Sequence, residues 1–135
     1  MNFTFQAHSG LRYLVLLVGV AALSYFLSGL VTKRPLDKGA RILGAVFTGL
    51  LDLQVVLGLV MVAMGRFYPQ LIGHIVMMVL AAVETHVLMV VNRKRANPGY
   101  LLPLIAVAVA LALIAGGVMA IGRGLLTHTP TPTAG

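Results

Sequence analysis

Four long apolar segments joined by short connections constrain this chain more than any other feature. A helix that crosses a membrane needs about 20 mainly apolar residues. Windows of this kind lie at about 11–31, 42–64, 71–91 and 101–121. Hydrophobic residues make up 59% of the 135 residues and charged residues only 10%, against about 25% charged residues in a soluble domain. The sequence therefore predicts an all-α integral membrane protein with four transmembrane helices.

The shortness of the connections predicts how these helices are arranged. Short loops place consecutive helices side by side and antiparallel, which favours an up-down-up-down four-helix bundle. Glycines within the spans allow helices to approach closely; they are Gly19, Gly44, Gly49, Gly58, Gly116 and Gly117. We predict one transmembrane domain over 1–126, followed by a disordered Thr/Pro-rich tail over 127–135.

The distribution of basic residues predicts the orientation of the bundle. The first and third connections carry seven cations, which are Lys33, Arg34, Lys38, Arg41, Arg93, Lys94 and Arg95. The other side carries three, which are Arg12, Arg66 and Arg123. Because cytoplasmic loops are enriched in Lys and Arg, we expect the first side to be cytoplasmic and both termini to lie outside. The same pattern explains the net charge of +7 without a nucleic-acid partner.

Composition also narrows the chemistry. The chain has no cysteine, which excludes disulfides, Cys-ligated zinc, iron–sulfur clusters and covalently attached c-type haem in its usual motif. It has no nucleophile–base arrangement, phosphate-binding loop or metalloprotease motif. These features favour an electron carrier or a subunit of a complex over a stand-alone enzyme.

The stretch "IGHIVMMVLAAVETH" carries His74, Glu84 and His86 inside an otherwise apolar span. His74 is at the same predicted depth as His8, near the outer surface and on a different helix. A six-coordinate b-type haem needs two imidazoles in this relationship. Arg12 follows His8 by one helical turn and suits a haem propionate. His8 and His74 are thus candidate ligands of a haem iron, with Arg12 as a further cofactor-binding residue.

Neighbouring residues are candidates for the same haem site, and each residue of the site also has a purely structural interpretation. Gly19 is expected to leave room for the ring, and Met77 and Met78 are expected to pack on it. Alternatively, His8 caps the first helix, His74 is a hydrated residue at the membrane interface, and the methionines belong to a plain apolar core.

Acidic residues at mid-membrane need a separate explanation, because each costs about 2.5–3.5 kcal/mol on insertion scales. The structural interpretation is hydrogen bonding, with Asp52 paired to His86, or Glu84 paired to Gln54, Thr48 or Ser24. The functional interpretation is a proton path or a quinone contact formed by Glu84, Gln54, Asp52 and His86. His86 lies about 120° around the helix from His74, which disfavours two haems stacked along the third helix.

Several segments together resemble a known group of proteins. The sequences "HSGLRYLVLLVGVAAL", "LLDLQVVLGLVM", "GHIVMMVLAAVETH" and "NRKR" are similar to short bacterial four-span cytochrome-b-like membrane proteins over about residues 8–95. The matching positions are His8 before the first span, Gln54 and Gly58 in the second, and His74 in the third. Asp52 departs from the pattern, because many relatives have histidine there. An inner haem using that position and His86 would therefore be lost.

The resemblance implies haem b, with quinone as a further candidate ligand. It also implies a bacterial inner membrane location and electron transfer as a subunit of a respiratory or photosynthetic complex. Two other hypotheses remain open. One is a haem-free accessory or assembly subunit that packs against larger membrane proteins. The other is a small proton pathway or transporter that uses Asp52, Glu84 and His86. In each case the expected partners are lipid and other membrane subunits.

Overall fold

The computed structural model describes residues 2–65, residue 69 and residues 71–120. These residues form four α-helices and no strand: α1 Asn2–Val31, α2 Lys38–Ala63, α3 Leu71–Arg93 and α4 Leu101–Ala120. Each contains a segment long and apolar enough to cross a membrane. The predicted fold class, a four-helix transmembrane bundle, is confirmed. Arg66, Arg123, His128 and the predicted tail over 127–135 lie outside the described residues.

The four helices surround one core, and α1 and α3 stand diagonally across it. α1 packs against α2 and α4, and α3 packs against α4 and more loosely against α2. Only 11% of the apolar segments of α2 and α3 is buried, against 33% in α1 and 39% in α4. The bundle is consequently most open between α2 and α3.

The core is built from one stripe of each helix. On α1 this stripe holds Arg12, Val15, Gly19 and Ala22, which are all buried. The remaining core residues include Phe26, Phe47, Leu51, Ala81, Val107, Ala110, Ile114 and Val118. On the opposite face of α1, Leu17 is 67% exposed, as expected for a side chain that contacts lipid.

The first helix begins nine residues earlier than the predicted span. That prediction followed the uninterrupted apolar run from Leu11, but α1 starts at Asn2 and continues through polar residues. His8 lies well inside the helix and is partly buried, so its side chain continues the inward-facing stripe. The interpretation of His8 as a helix cap is therefore wrong.

We call the end of the bundle that holds the α1–α2 and α3–α4 connections the basic end, after its seven cations, and the other end the opposite end. At the basic end α1 terminates in a Schellman-type turn, with the amide of Arg34 donating to Gly29 O at 3.0 Å. This turn places Lys33 at φ 58°, in the left-handed region that glycine adopts most easily.

Side-chain hydrogen bonds fix both connections at the basic end. Asp37 caps α2 by accepting from the Ala40 amide at 2.8 Å, and it accepts from Tyr25 Oη at 2.7 Å. Tyr100 Oη donates to the Pro35 carbonyl at 3.1 Å. These bonds tie the start of α2 and the start of α4 to the chain leaving α1.

Candidate functional site

Four of the predicted site residues meet in one small cavity at the opposite end. His8 and Arg12 come from α1, Gln54 from α2 and His74 from α3. The cavity measures about 50 Å³, and its remaining lining residues are Ser9, Met78, Ile114 and Val118. We call it the imidazole cavity. The two histidines reach it from the diagonal helices, which places their rings in the interior of the bundle.

A hydrogen bond to α4 orients the His74 ring. His74 Nδ1 lies 3.0 Å from Gly117 O, and because a carbonyl only accepts, Nδ1 must carry the proton. In the neutral ring the lone pair for a metal then belongs to Nε2, the arrangement usual for metal-bound histidines. A Cβ on Gly117 would lie 3.3 Å from Nδ1 and 2.7 Å from Met78 Cε. The absence of a side chain at Gly117 lets His74 and Met78 pack directly on the α4 backbone.

The role of Gly117 escaped the sequence analysis. In the sequence, the neighbouring glycines Gly116 and Gly117 indicate only that another helix approaches α4 closely here. Met77 Sδ, which was expected beside a haem ring, lies 3.1 Å from the Cβ position of Gly116. Met77 therefore packs against α4, whereas Met78 lines the cavity as expected.

His8 and Arg12 complete the α1 side of the cavity. The His8 ring packs on α2, with Cε1 3.4 Å from the position that a Cβ on Gly58 would occupy. Arg12 is only 9% exposed; its Nη2 donates to Tyr13 Oη at 2.9 Å, and its guanidinium lies 4.8 Å from the centre of the Tyr13 ring. A buried cation on a membrane helix is costly unless an anion or other polar groups compensate it.

Gln54 contributes an acceptor that no described residue satisfies. Its Oε1 is buried and has no hydrogen-bond partner within the described part of the chain. A buried acceptor without a donor costs about 1–3 kcal/mol. Since Gln54 lines the cavity, a donor held there, a water molecule or a ligand, would remove this cost.

The space expected at Gly19 is filled by protein. A Cβ on Gly19 would lie 2.7 Å from Leu111 Cδ2 and 3.0 Å from Phe47 Cε1. Gly19 therefore permits close packing of α1 against α2 and α4, and the prediction that it leaves room for a haem ring is wrong.

The side chains that line the imidazole cavity suit a haem, but the volume of the cavity does not. Two imidazoles and a buried arginine suit a six-coordinate b-type haem and one of its carboxylates. A volume of about 50 Å³ is, however, well below the about 300–1,000 Å³ of pockets that enclose drug-sized ligands. A ring can enter only if side chains withdraw, and Met78 is the most adaptable of those that line the cavity.

A second, larger site lies between α2 and α3 toward the basic end. It is a groove of about 410 Å³, which we call the α2–α3 groove. At the end of the groove farthest from the basic end, His86 Nε2 lies 2.9 and 2.8 Å from the two carboxylate oxygens of Asp52. The predicted pairing of these residues is confirmed. Because Nε2 is engaged by the carboxylate, it is not available as the usual imidazole ligand of a haem iron, and His86 lies away from the imidazole cavity.

Glu84 belongs to neither site. It accepts a hydrogen bond from the buried Thr85 hydroxyl at 2.9 Å, so its predicted pairing with Gln54, Thr48 or Ser24 is wrong. Thr48 instead donates to the carbonyl of Gly44 at 2.7 Å. The sequence does not indicate Thr85 as a partner, because adjacent residues on a helix do not face each other.

Fold and composition together define a multi-pass helical membrane protein. No protein-family model matches the chain, and no curated protein or solved structure is significantly similar to it. The resemblance to cytochrome-b-like proteins therefore stays a prediction that rests on the residues themselves.

Proposed function

We propose that this protein is a small membrane b-type cytochrome that binds one haem between α1 and α3. The observation that carries the proposal is the convergence of His8, His74 and buried Arg12 on one cavity from diagonal helices. Ionisable side chains are rare inside an apolar membrane bundle and are generally functional. Two histidines and one arginine at a single interior position therefore favour a binding site.

Each residue has a defined role in this proposal. His8 and His74 would hold the haem iron, and the bond from His74 Nδ1 to Gly117 would leave Nε2 as the nitrogen available to it. Arg12 would neutralise a haem carboxylate. Gln54 supplies an acceptor for a polar group or water beside the ring.

When bound, a haem held by two imidazoles supplies one-electron exchange at iron. The chain's part is to hold the ligands, neutralise the propionate and exclude bulk water. Binding requires Met78 and the side chains next to it to move outward. Glu84, Asp52 and His86 remain candidate proton or quinone contacts in this proposal.

The rest of the chain supports a proposal for the complex and the membrane in which the protein works. With four helices and short connections, the described residues offer little surface for a soluble electron donor, which favours membership of a larger respiratory or photosynthetic complex. The seven cations at the basic end favour its placement on the cytoplasmic side of a bacterial inner membrane, with both termini on the periplasmic side.

The test is purification in mild detergent from haem-sufficient cells, with oxidised and reduced spectra and a pyridine haemochrome assay. We expect one haem b per chain with the spectrum of a six-coordinate bis-imidazole iron. His8→Ala and His74→Ala should each lose haem or the low-spin spectrum. His86→Ala is the matched control, because His86 lies in the α2–α3 groove and should keep the spectrum.

A folded preparation without a Soret band would overturn the proposal, and so would equal haem content in the His74→Ala variant. A haem-free accessory or assembly subunit would then become the leading interpretation, and co-purifying membrane proteins would identify its complex.

A further inference from the structure

We propose that the α2–α3 groove is a water-filled vestibule that opens at the basic end and gives protons access to the Asp52–His86 pair. This inference goes beyond the proposed haem site, and its tests do not involve haem.

The groove has the dimensions of such a vestibule. Its lining on α2 extends from Ala40 to Asp52, about 18 Å along the helix axis and more than half of a hydrocarbon core of about 30 Å. A volume of about 410 Å³ has room for on the order of ten water molecules.

Polar and charged groups line the groove at both of its ends. Arg41 and Arg93 line the end nearest the basic end of the bundle, which is the mouth in this proposal, and Asp52 and His86 line the end farthest from it. The side chains of His86 and Asp52 are 52% and 43% exposed. A hydrocarbon chain in the groove would leave this exposed pair without solvation, at a cost of several kcal/mol.

Besides the pair itself, the charged residues that line the groove come from α2 and α3. They are Arg41 on α2 and Arg93 on α3, while the lining residues from α1 and α4 are the apolar Phe26 and Pro103. Because Asp52 accepts from Nε2, the neutral His86 ring presents Nδ1 as a proton acceptor. The pair is thus a proton-accepting group that is accessible from the groove.

Small residues keep the α2 wall of the groove open. A Cβ added at Gly49 would meet no atom within 4 Å, and Ala45 lies one turn nearer the mouth. These positions accept a larger side chain without displacing the protein, which makes them suitable probes of what fills the groove.

Because the chain has no native cysteine, single cysteines report accessibility directly. We would make Ala45→Cys and Gly49→Cys in reconstituted vesicles and treat them with a membrane-impermeant, negatively charged methanethiosulfonate. Val46→Cys is the matched control at the same depth, because Val46 is exposed but does not line the groove. Ala96→Cys in the α3–α4 connection and Gln6→Cys near the start of α1 mark the two sides.

We expect both groove cysteines to react from the side on which Ala96→Cys reacts. Their rates should exceed that of Val46→Cys by more than about tenfold, because a thiol surrounded by hydrocarbon stays protonated and unreactive. Groove rates as slow as that of Val46→Cys would overturn the proposal and assign the groove to lipid, a ligand or a partner helix. Reaction from the side marked by Gln6→Cys would also overturn it, because the vestibule ends at the pair.

The proton function has its own measurement. The ¹⁵N signal of the His86 ring, assigned by its loss in His86→Gln, should respond to the pH on the Ala96 side when the other side is held constant. Gly49→Leu, which fills the groove, should slow hydrogen exchange of this ring by more than about tenfold if water is excluded, whereas Val46→Leu should leave it unchanged. A ring signal that ignores pH on the Ala96 side would refute proton access.

Discussion

The ring of Tyr100 occupies the space that a side chain at position 29 would need. A Cβ on Gly29 would lie 2.6 Å from three carbon atoms of this ring. Tyr100 is 2% exposed, and its hydroxyl donates to the Pro35 carbonyl, so the ring is held at both its face and its tip. This contact brings the start of α4 against the last turns of α1 and organises the basic end.

Gly29→Ala is accordingly expected to destabilise the bundle. Overpacking typically costs about 1–3 kcal/mol, which outweighs the helix-propensity gain of about 1 kcal/mol from replacing glycine. Unfolding in detergent with denaturant measures the difference. Gly10→Ala is the control on the same helix, because a Cβ there would meet nothing within 4 Å, and it should be neutral or stabilising.

Lys33→Gly should stabilise the protein. Lys33 is exposed and adopts φ 58°, a conformation that costs an ordinary residue about 1–2 kcal/mol. Glycine also makes the unfolded chain more flexible, which offsets part of the relief from this cost. We therefore expect the free energy of unfolding to rise by up to about 1 kcal/mol. Lys33→Ala removes the same charge but keeps the Cβ, so a similar gain in that variant would show that charge, and not backbone conformation, is responsible.

Asp37 should make the stability of the basic end sensitive to acid. Its hydrogen bond from Tyr25, together with that from the Ala40 amide, lowers the pKa of the Asp37 carboxyl. A carboxyl whose pKa is lower in the folded state contributes stability above its unfolded pKa, about 3.9, and loses it as the pH falls through the folded value. The thermal midpoint should therefore fall on acidification below about pH 4.

Asp37→Asn isolates this effect, because asparagine still caps a helix but does not ionise. The variant should be less stable than the wild type at neutral pH and should lose less stability between about pH 6 and pH 3. The chain has only three acidic side chains, and the other two lie within the spans. Few other carboxyl groups therefore contribute to the loss of stability in acid. Parallel acid profiles for the two proteins would contradict the assignment.

The fold was largely predictable because the length of each apolar segment can be read directly from the local sequence. The helix boundaries followed the apolar runs, except at α1, where the polar residues before Leu11 continue the helix because their inward stripe matches the core. The 100° periodicity of a helix also correctly separated His86 from His74.

The site was predictable only in part, because its geometry depends on contacts between helices. The equal predicted depth of His8 and His74 indicated a shared site. The cost of an unpaired acid within the membrane indicated that Asp52 pairs with His86. The carbonyl of Gly117 as the partner of His74 and the open space beside Gly49 depend on how α4 and α3 sit against their neighbours. No residue pattern within a single helix encodes those distances.

Gln54 provides the last prediction, which concerns the imidazole cavity without haem. Its Oε1 is buried without a partner in the described part of the chain, and a leucine of similar size removes that acceptor. In haem-free protein, Gln54→Leu should raise the free energy of unfolding by about 1 kcal/mol or more, since an unsatisfied buried group costs about 1–3 kcal/mol. Denaturant unfolding of protein made without haem measures this. Gln54→Glu, which buries a carboxyl in the same place, should be destabilising. A loss of stability in Gln54→Leu would instead mean that a water molecule already satisfies the amide, and the cavity would then be hydrated before any cofactor enters.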